Sequence, residues 1–400
     1  MKTEKQSIWD QLGINSDNDD LPPILDDKQK NDIKTGPLPE LPNDPGDERI
    51  LPPLKETGEL TFNSYVYAVP GLTDYNPEQP LGSSNGIRES RDGNAIAKRG
   101  DIEIAVVTDG VGGDREKQDS RLVAIFSQFI ADTAVAFLVD QSQSDLEKLT
   151  LNQLADFLAD TAKKFWQQSD IQEALKDPDF ETPATTLVIA ITVGNTVQFL
   201  NIGDSLGGKL DVSGLDITTV KHGTGSRITK AVKAKKNPSF SEVVPSLSSV
   251  EVDGKGDEYA ILYTDGMEEL VKALGEWAIV ENKTQFFDGD LGENFSFMKE
   301  DRKSNGNMYI FNLNLLKENR SINLEEIGWR VVHSLITEAV EAGKDPAEYI
   351  FTNPFFEHNG TKMSYVDGYR EVLAARESAE DGTCYIDDIT LAVVVPNTKQ

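Results

Sequence analysis

Cysteine is almost absent from this chain of 400 residues: Cys384 stands alone. A single thiol excludes an intrachain disulfide framework and a cysteine-based zinc site. Histidine is scarce too, with 3 in all, which leaves little for a His-rich metal centre. Positive charge is in deficit: 68 Asp and Glu face 39 Lys and Arg, a formal net charge of -29. Such a surface repels phosphate backbones and anionic lipid, so nucleic acid and membrane surfaces are poor partners. No apolar run reaches the length that spans a bilayer. The opening MKTEKQSIWDQLG lacks the apolar stretch of a secretory signal. Cytoplasm is therefore the expected compartment, with export by another route left open. Nothing in the sequence speaks to oligomeric state.

What is present divides the chain. Residues 1–54 are acidic and studded with proline, from Pro22 to Pro53. They read as a solvated tail or linker, because such composition buries too little apolar surface to offset its ordering entropy. Residues 55–400 read as one folded unit. LTFNSYVYAV and DIEIAVVTDG have strand character, and Glu116 to Gln141 carries apolar residues at helical spacing. LTLNQLADFLADTAKKFWQQSD repeats that helical pattern. TTLVIAITV and VQFLNIG meet across Gly194-Asn195, a hairpin signal. His222 to Pro245 is basic and polar and reads as a mobile segment. YAILYT is a strand leading into a helix, and about 275–323 reads as an insertion or lid. IGWRVVHSLITEAVEAG and SYVDGYREVLAARESA read as helices, and DDITLAVVVP closes the chain as a buried strand. Hairpin-linked strands with pairs of helices imply layered α+β architecture rather than a doubly wound parallel sheet.

One device occurs three times. AVVTDG ends a strand in Asp109-Gly110, AILYTDG ends another in Asp265-Gly266, and YIDDITLAVVV opens a third behind Asp387-Asp388. Side chains at strand ends can converge on one sheet edge. Carboxylates gathered there repel one another unless a cation neutralises them, and hard divalent ions take oxygen ligands of this kind. Glycine after the Asp lets the backbone turn sharply. A lone Asp-Gly after an apolar strand is usually a turn and nothing more; the order of several pieces is what points to chemistry.

Those pieces are AVVTDGVGG at 105–113, PATTLVIAI at 183–191, VQFLNIGDS at 197–205, SRITKAVKA at 226–234, YAILYTDGMEEL at 259–270 and DDITLAVVVP at 387–396. In that order they resemble the type-2C metal-dependent protein serine/threonine phosphatases, the PPM family, as a divergent and bacterial-type member. The resemblance implies a four-layer α-β-β-α sandwich of two antiparallel sheets flanked by helices, with a binuclear Mg²⁺ or Mn²⁺ site at one edge. It implies that Asp109 bridges the two ions, that the Gly110 carbonyl binds one, and that Asp265 and Asp387 hold the second. Asp204, in the GDS turn, matches an Asp that in some members helps bind a third, looser ion.

The upstream stretch GIRESRDGNAI leaves two readings. Arg88 lies four residues before Asp92, the family distance from the phosphate-binding Arg to the first acidic ligand, and is preferred; Arg91 is the alternative. Gly93 then stands where a second acidic residue is usual. Val111 follows Asp109-Gly110 where some members carry His, Leu206 follows the GDS turn where Arg is common, and Asp388 replaces a common Asn. The implied activity is hydrolysis of phosphoserine and phosphothreonine on a phosphoprotein partner by a metal-bound hydroxide. The alternative is a pseudophosphatase, the same fold used as a binding or regulatory module. His222 reads either as a substrate contact or as part of a solvated loop, and His333 as a core-edge or surface residue.

Overall fold

The computed structural model describes residues 49–50, 60–73, 90–111, 120–146, 148–176, 182–224, 227–254, 257–280, 324–353, 356–358, 361–364 and 385–398. Ten strands build two antiparallel sheets: β1 (Leu60–Val69), β2 (Gly93–Arg99), β3 (Ile102–Thr108), β4 (Leu187–Val193), β5 (Thr196–Ile202), β6 (Leu206–Asp211), β7 (Gly214–Ile217), β8 (Ser246–Glu251), β9 (Tyr259–Tyr263) and β10 (Ile389–Thr398). One sheet runs β1-β10-β9-β6-β7 and the other β8-β5-β4-β3-β2. Five helices cover them: α1 (Ser120–Asp140), α2 (Leu151–Trp166), α3 (Gly266–Val280), α4 (Leu324–Glu341) and α5 (Pro346–Thr352).

The period of two along each strand separates three apolar layers. On β3, Ala105 and Val107 face the other sheet, while Ile104 and Val106 face helices. On β10, Ala392 and Val394 face inward, while Leu391, Val393 and Val395 face α3 and α4. β3 is thus buried on both faces, which is why IEIAVVT reads as a continuous apolar run. Ala105, Ala190, Ala260 and Ala392 lie in the inner layer beside larger residues such as Phe62 and Phe199. α1 and α2 pack on the second sheet through Phe126, Ile130, Leu154 and Phe165. A capping box starts α2, in which Thr150 and Gln153 satisfy each other's backbone N–H. The expected four-layer α+β sandwich of two antiparallel sheets is the architecture observed. The hairpin at Gly194-Asn195 joins β4 to β5, with Gly194 at φ 64.

Several boundaries move. Ile50 is completely buried in the layer beside α1 and α2, and its N–H donates to Leu149 O at 2.8 Å. The folded unit therefore includes residues placed in the tail by composition. Residues 275–280, expected to open an insertion, continue α3; the rest of that insertion, the strand MYIFNL and the helix SYVDGYREVLAARESA lie outside the described residues. The segment expected to be mobile, 222–245, packs Val232, Ala234 and Val243 into the core. The stretch Leu122–Asp140 of α1 is long and apolar enough to cross a bilayer by length and composition, with mean hydropathy 2.0. Ser127, Gln128 and Asp132 interrupt it, so it does not read as one run. Here that apolarity serves burial between a sheet and α2.

Candidate active site

Five strand ends from both sheets open onto one edge. Antiparallel pairing sets Gly93 beside Thr108 and Tyr263 beside Leu391, so the start of β2 meets the end of β3 and the start of β10 meets the end of β9. Asp92, Asp109, Asp204, Asp265 and Asp387 all lie one or two residues beyond these ends. Hydroxyls hold two of them. The Oδ2 of Asp92 accepts from Thr264 Oγ1 at 3.0 Å and Thr390 Oγ1 at 2.8 Å, tying the three strand ends together. The backbone of Asp109 is clamped by the Thr pair of PATT: its N–H donates to Thr186 Oγ1 at 3.0 Å, and its carbonyl accepts from Thr185 Oγ1 at 2.8 Å. Thr186 Oγ1 in turn meets Ser205 Oγ at 2.5 Å, linking the clamp to the turn that carries Asp204.

Gly110 is required by proximity rather than by a left-handed turn. A Cβ there would lie 2.3 Å from Arg91 O and 2.8 Å from Val123 Cγ1, so only glycine lets the Arg91-Asp92 segment cross Asp109. Gly203, at φ 100, makes the turn before Asp204.

The carboxylates are crowded. Burial, then the charges of Asp92, Asp265, Asp387 and Asp204, push the Asp109 pKa well above its ordinary value. Burial and Asp388 do the same to Asp92. Asp265 is pushed up to about 7 by burial, then by Asp387 and Asp204. Burial raises Asp204 also, while its own backbone and Lys221 pull it back. The buried Oδ1 atoms of Asp92, Asp204 and Asp265 find no hydrogen-bond donor among the described residues. Acceptor-only groups so placed demand a cation or a proton. Among the described residues, no three His, Cys, Asp or Glu side chains are spaced to hold one ion between them. The donor chemistry thus fits a hard divalent cation, while the side chains as placed stand apart.

The basic groups sort themselves. The Arg91 guanidinium reaches Asp387 Oδ1 at 3.3 Å and Asp388 Oδ2 at 3.6 Å. Asp388 is an anchor: it also accepts the Gly71 N–H at 2.6 Å and the Arg91 N–H at 2.9 Å. A carboxylate where Asn is common therefore has a partner in Arg91. Arg88 lies outside the described residues. His222 is half-buried and holds the Gly203 turn: its Nδ1 accepts the Gly203 N–H at 3.3 Å, and its Nε2 lies 2.8 Å from Ser246 Oγ. That tautomer donates to Ser246, so it cannot take the serine's proton. Burial, then Lys230, depresses the His222 pKa to about 4. His333 is buried, with Nε2 2.6 Å from Asp257 O, beneath the first sheet. The Thr clamps, the Asp388 anchor and the role of Lys221 escape sequence reasoning, since each depends on contacts between distant segments.

A protein-family model described as Protein phosphatase 2C matches residues 89–301, more than half of the chain. The chain is similar to PppA, a regulatory component of T6SS in Pseudomonas aeruginosa, at 15% identity over 84% of this chain and 98% of that one, with TM-score 0.41. It is similar to the Mycobacterium tuberculosis serine/threonine phosphatase PstP/Ppp at 15% identity over 84% and 98%, with TM-score 0.39. Serine/threonine phosphatase Stp1 of Staphylococcus aureus shares 17% identity over 63% and 94%, also with TM-score 0.39. No curated protein sequence matches it. With strand-end carboxylates from two sheets gathered at one edge, and the family model fitting over more than half its length, the chain belongs to the protein phosphatase 2C family.

Proposed function

We propose that the protein hydrolyses phosphoserine and phosphothreonine monoesters on proteins, with two Mg²⁺ or Mn²⁺ ions held by Asp92, Asp109, Gly110, Asp265 and Asp387, and with Asp204 at the margin. The observation that carries this is the set of buried, unpartnered carboxylate oxygens on Asp92, Asp204 and Asp265 around Asp109. When bound, the ions supply Lewis acidity, lowering the pKa of a water and offsetting charge on the phosphoryl group. The chain's own residues do the positioning. Thr264 and Thr390 fix one oxygen of Asp92 and leave the other available. Thr185 and Thr186 fix the backbone that carries Asp109. Arg91, oriented by Asp388, presents a planar fork suited to a phosphate dianion. Of the two arginines the sequence offers, Arg91 is taken here as the phosphate ligand because it stands at this edge beside Asp387 and Asp388.

A pure binding module gains nothing from buried like charges that oppose folding, and no described feature favours that reading. The test is release of phosphate from a phosphopeptide by the full chain with Mn²⁺, with Mg²⁺ and with EDTA. Activity should vanish in EDTA and return with either ion; full activity in EDTA would overturn the proposal.

A further inference from the structure

Lys221 stands apart from the other basic residues of its segment. Its backbone neighbour His222 is stapled to the Gly203-Asp204 turn twice. The His222 N–H donates to Gly203 O at 2.8 Å, and the His222 ring accepts the Gly203 N–H at 3.3 Å. That staple sets Lys221 beside Asp204. The side chain then crosses to the first turn of α3, where Nζ meets Glu268 Oε1 at 3.0 Å. Glu268 follows the Asp265-Gly266 turn by two residues. Lys221 therefore spans the gap between the turn carrying Asp204 and the turn carrying Asp265. An ammonium there is a positive charge on the exposed side of these turns, at a point where a second cation would meet repulsion.

We propose that the Lys221 ammonium is a built-in cation of this site, holding the position beside Asp204, Asp265 and Glu268 that a divalent ion would otherwise take, and so limiting how many ions the carboxylates recruit. The inference rests on the metal-dependent reading above and adds a limit to it. Lys221 is a positioning residue in this scheme. It keeps Glu268 occupied beside the turn that carries Asp204, so the divalent ions gather at Asp92, Asp109, Asp265 and Asp387. Removing its charge leaves Glu268 and Asp204 as two carboxylates without their cation, next to a third.

The test is isothermal titration calorimetry of the full chain with MnCl₂ in three forms: unchanged, Lys221→Met and Lys221→Arg. Met keeps the stem and removes the charge; Arg keeps the charge. Lys221→Met should bind one more Mn²⁺ per chain than the unchanged protein, or tighten its weakest binding step by about tenfold or more, the scale expected when a nearby unit charge is lost. Lys221→Arg should titrate like the unchanged protein. Adding Glu268→Gln to Lys221→Met should reverse the gain. Circular dichroism of each variant checks the fold, and the Arg form carries the test if the Met form fails to fold: an Arg form that gains an ion overturns the inference. Identical isotherms for the Met form and the unchanged protein overturn it alone. No Mn²⁺ uptake by any form overturns both the inference and the metal-dependent reading beneath it.

Discussion

The two ends of β3 each carry a buried acid, and they are solved in opposite ways. At one end Glu103 accepts the Ser64 N–H and pairs with Lys98 Nζ at 3.1 Å, while Lys98 also donates to Phe62 O at 2.6 Å. The acid ties β1 to β2 and β3, and its charge is answered within the chain. At the other end, just past Thr108, Asp109 sits among Asp92, Asp204, Asp265 and Asp387, and the added charges compound rather than cancel. Burial of a carboxylate therefore does not mark a site. The mark is burial without an internal cation sufficient to the charge, since a stable fold keeps such a group only for what it binds.

The sharpest way to break this comparison is to neutralise each end. Asp109→Asn should lower kcat at saturating Mn²⁺ by about a thousandfold, the upper range for loss of one electrostatic element of catalysis, while the metal-free protein unfolds no earlier. Glu103→Gln should leave kcat unchanged and lower stability by about 1 kcal/mol, discounted because Lys98 is partly exposed. A steady-state assay beside urea denaturation reads both. If Glu103→Gln slows turnover as much as Asp109→Asn, the division between a structural and a chemical end fails.

Asp265→Asn should show function and stability moving in opposite directions. The rate should fall about a hundredfold. With its pKa pushed up to about 7 from 3.8, the ionised carboxylate opposes folding at pH 8. Its removal should stabilise the metal-free protein by about 2 kcal/mol, because each tenfold change in proton affinity is worth about 1.4 kcal/mol and partial solvent access reduces the total. A variant as fast as the unchanged protein would make Asp265 an ordinary turn residue, and a less stable one would show that its ionised carboxylate does not oppose folding.

Arg91→Ala should raise KM for a phosphopeptide roughly tenfold and lower kcat far less than Asp109→Asn does, because the guanidinium binds rather than activates. Arg91→Lys should recover only part of the loss. Arg88→Ala should do less. A large KM effect at Arg88 with none at Arg91 would restore the assignment that sequence spacing prefers.

Much of this architecture is legible in the chain because period two, hairpin signals and strand-ending Asp-Gly pairs are local. IEIAVVT and LAVVV stand out as apolar runs, although which of their residues face the other sheet does not. Ile50 is not legible: it sits between Arg49 and Leu51-Pro52-Pro53 at the end of an acidic, proline-rich stretch, and only packing beside Leu149 makes it core. Val232 and Ala234 are hidden in the same way inside a basic stretch. The strand-end aspartates are visible, whereas the reason each stays put is not. Thr390 and Thr264 reach Asp92 across 298 and 172 residues, and Asp388 meets Arg91 across 297. Such pairings are decided by sheet order, which no window of sequence contains.

The smallest effect concerns pH, and its sign follows from the same comparison. Asp92, Asp109, Asp204 and Asp265 all have folded pKa values raised above the unfolded 3.8. Between about pH 4 and pH 7 the folded chain therefore holds more protons than the unfolded one, so stability falls as pH rises through that window. His222 acts the other way. Its pKa is depressed from 6.5 to about 4, so the stability tied to its neutral form is present above pH 6.5 and lost as pH falls toward 4. Four carboxyls outweigh one imidazole. In EDTA the Tm should drop by a few degrees from pH 5.5 to pH 8, about 1–2 kcal/mol for a domain of this size. Net charge of -29 adds a general slope of the same sign, so the informative quantity is the difference between proteins. Asp265→Asn should flatten the curve. Saturating Mn²⁺ should raise the Tm most at pH 8, where the carboxylates are ionised. Equal slopes for the unchanged protein and Asp265→Asn would show that the crowded end of β3 holds its charges at no cost to folding.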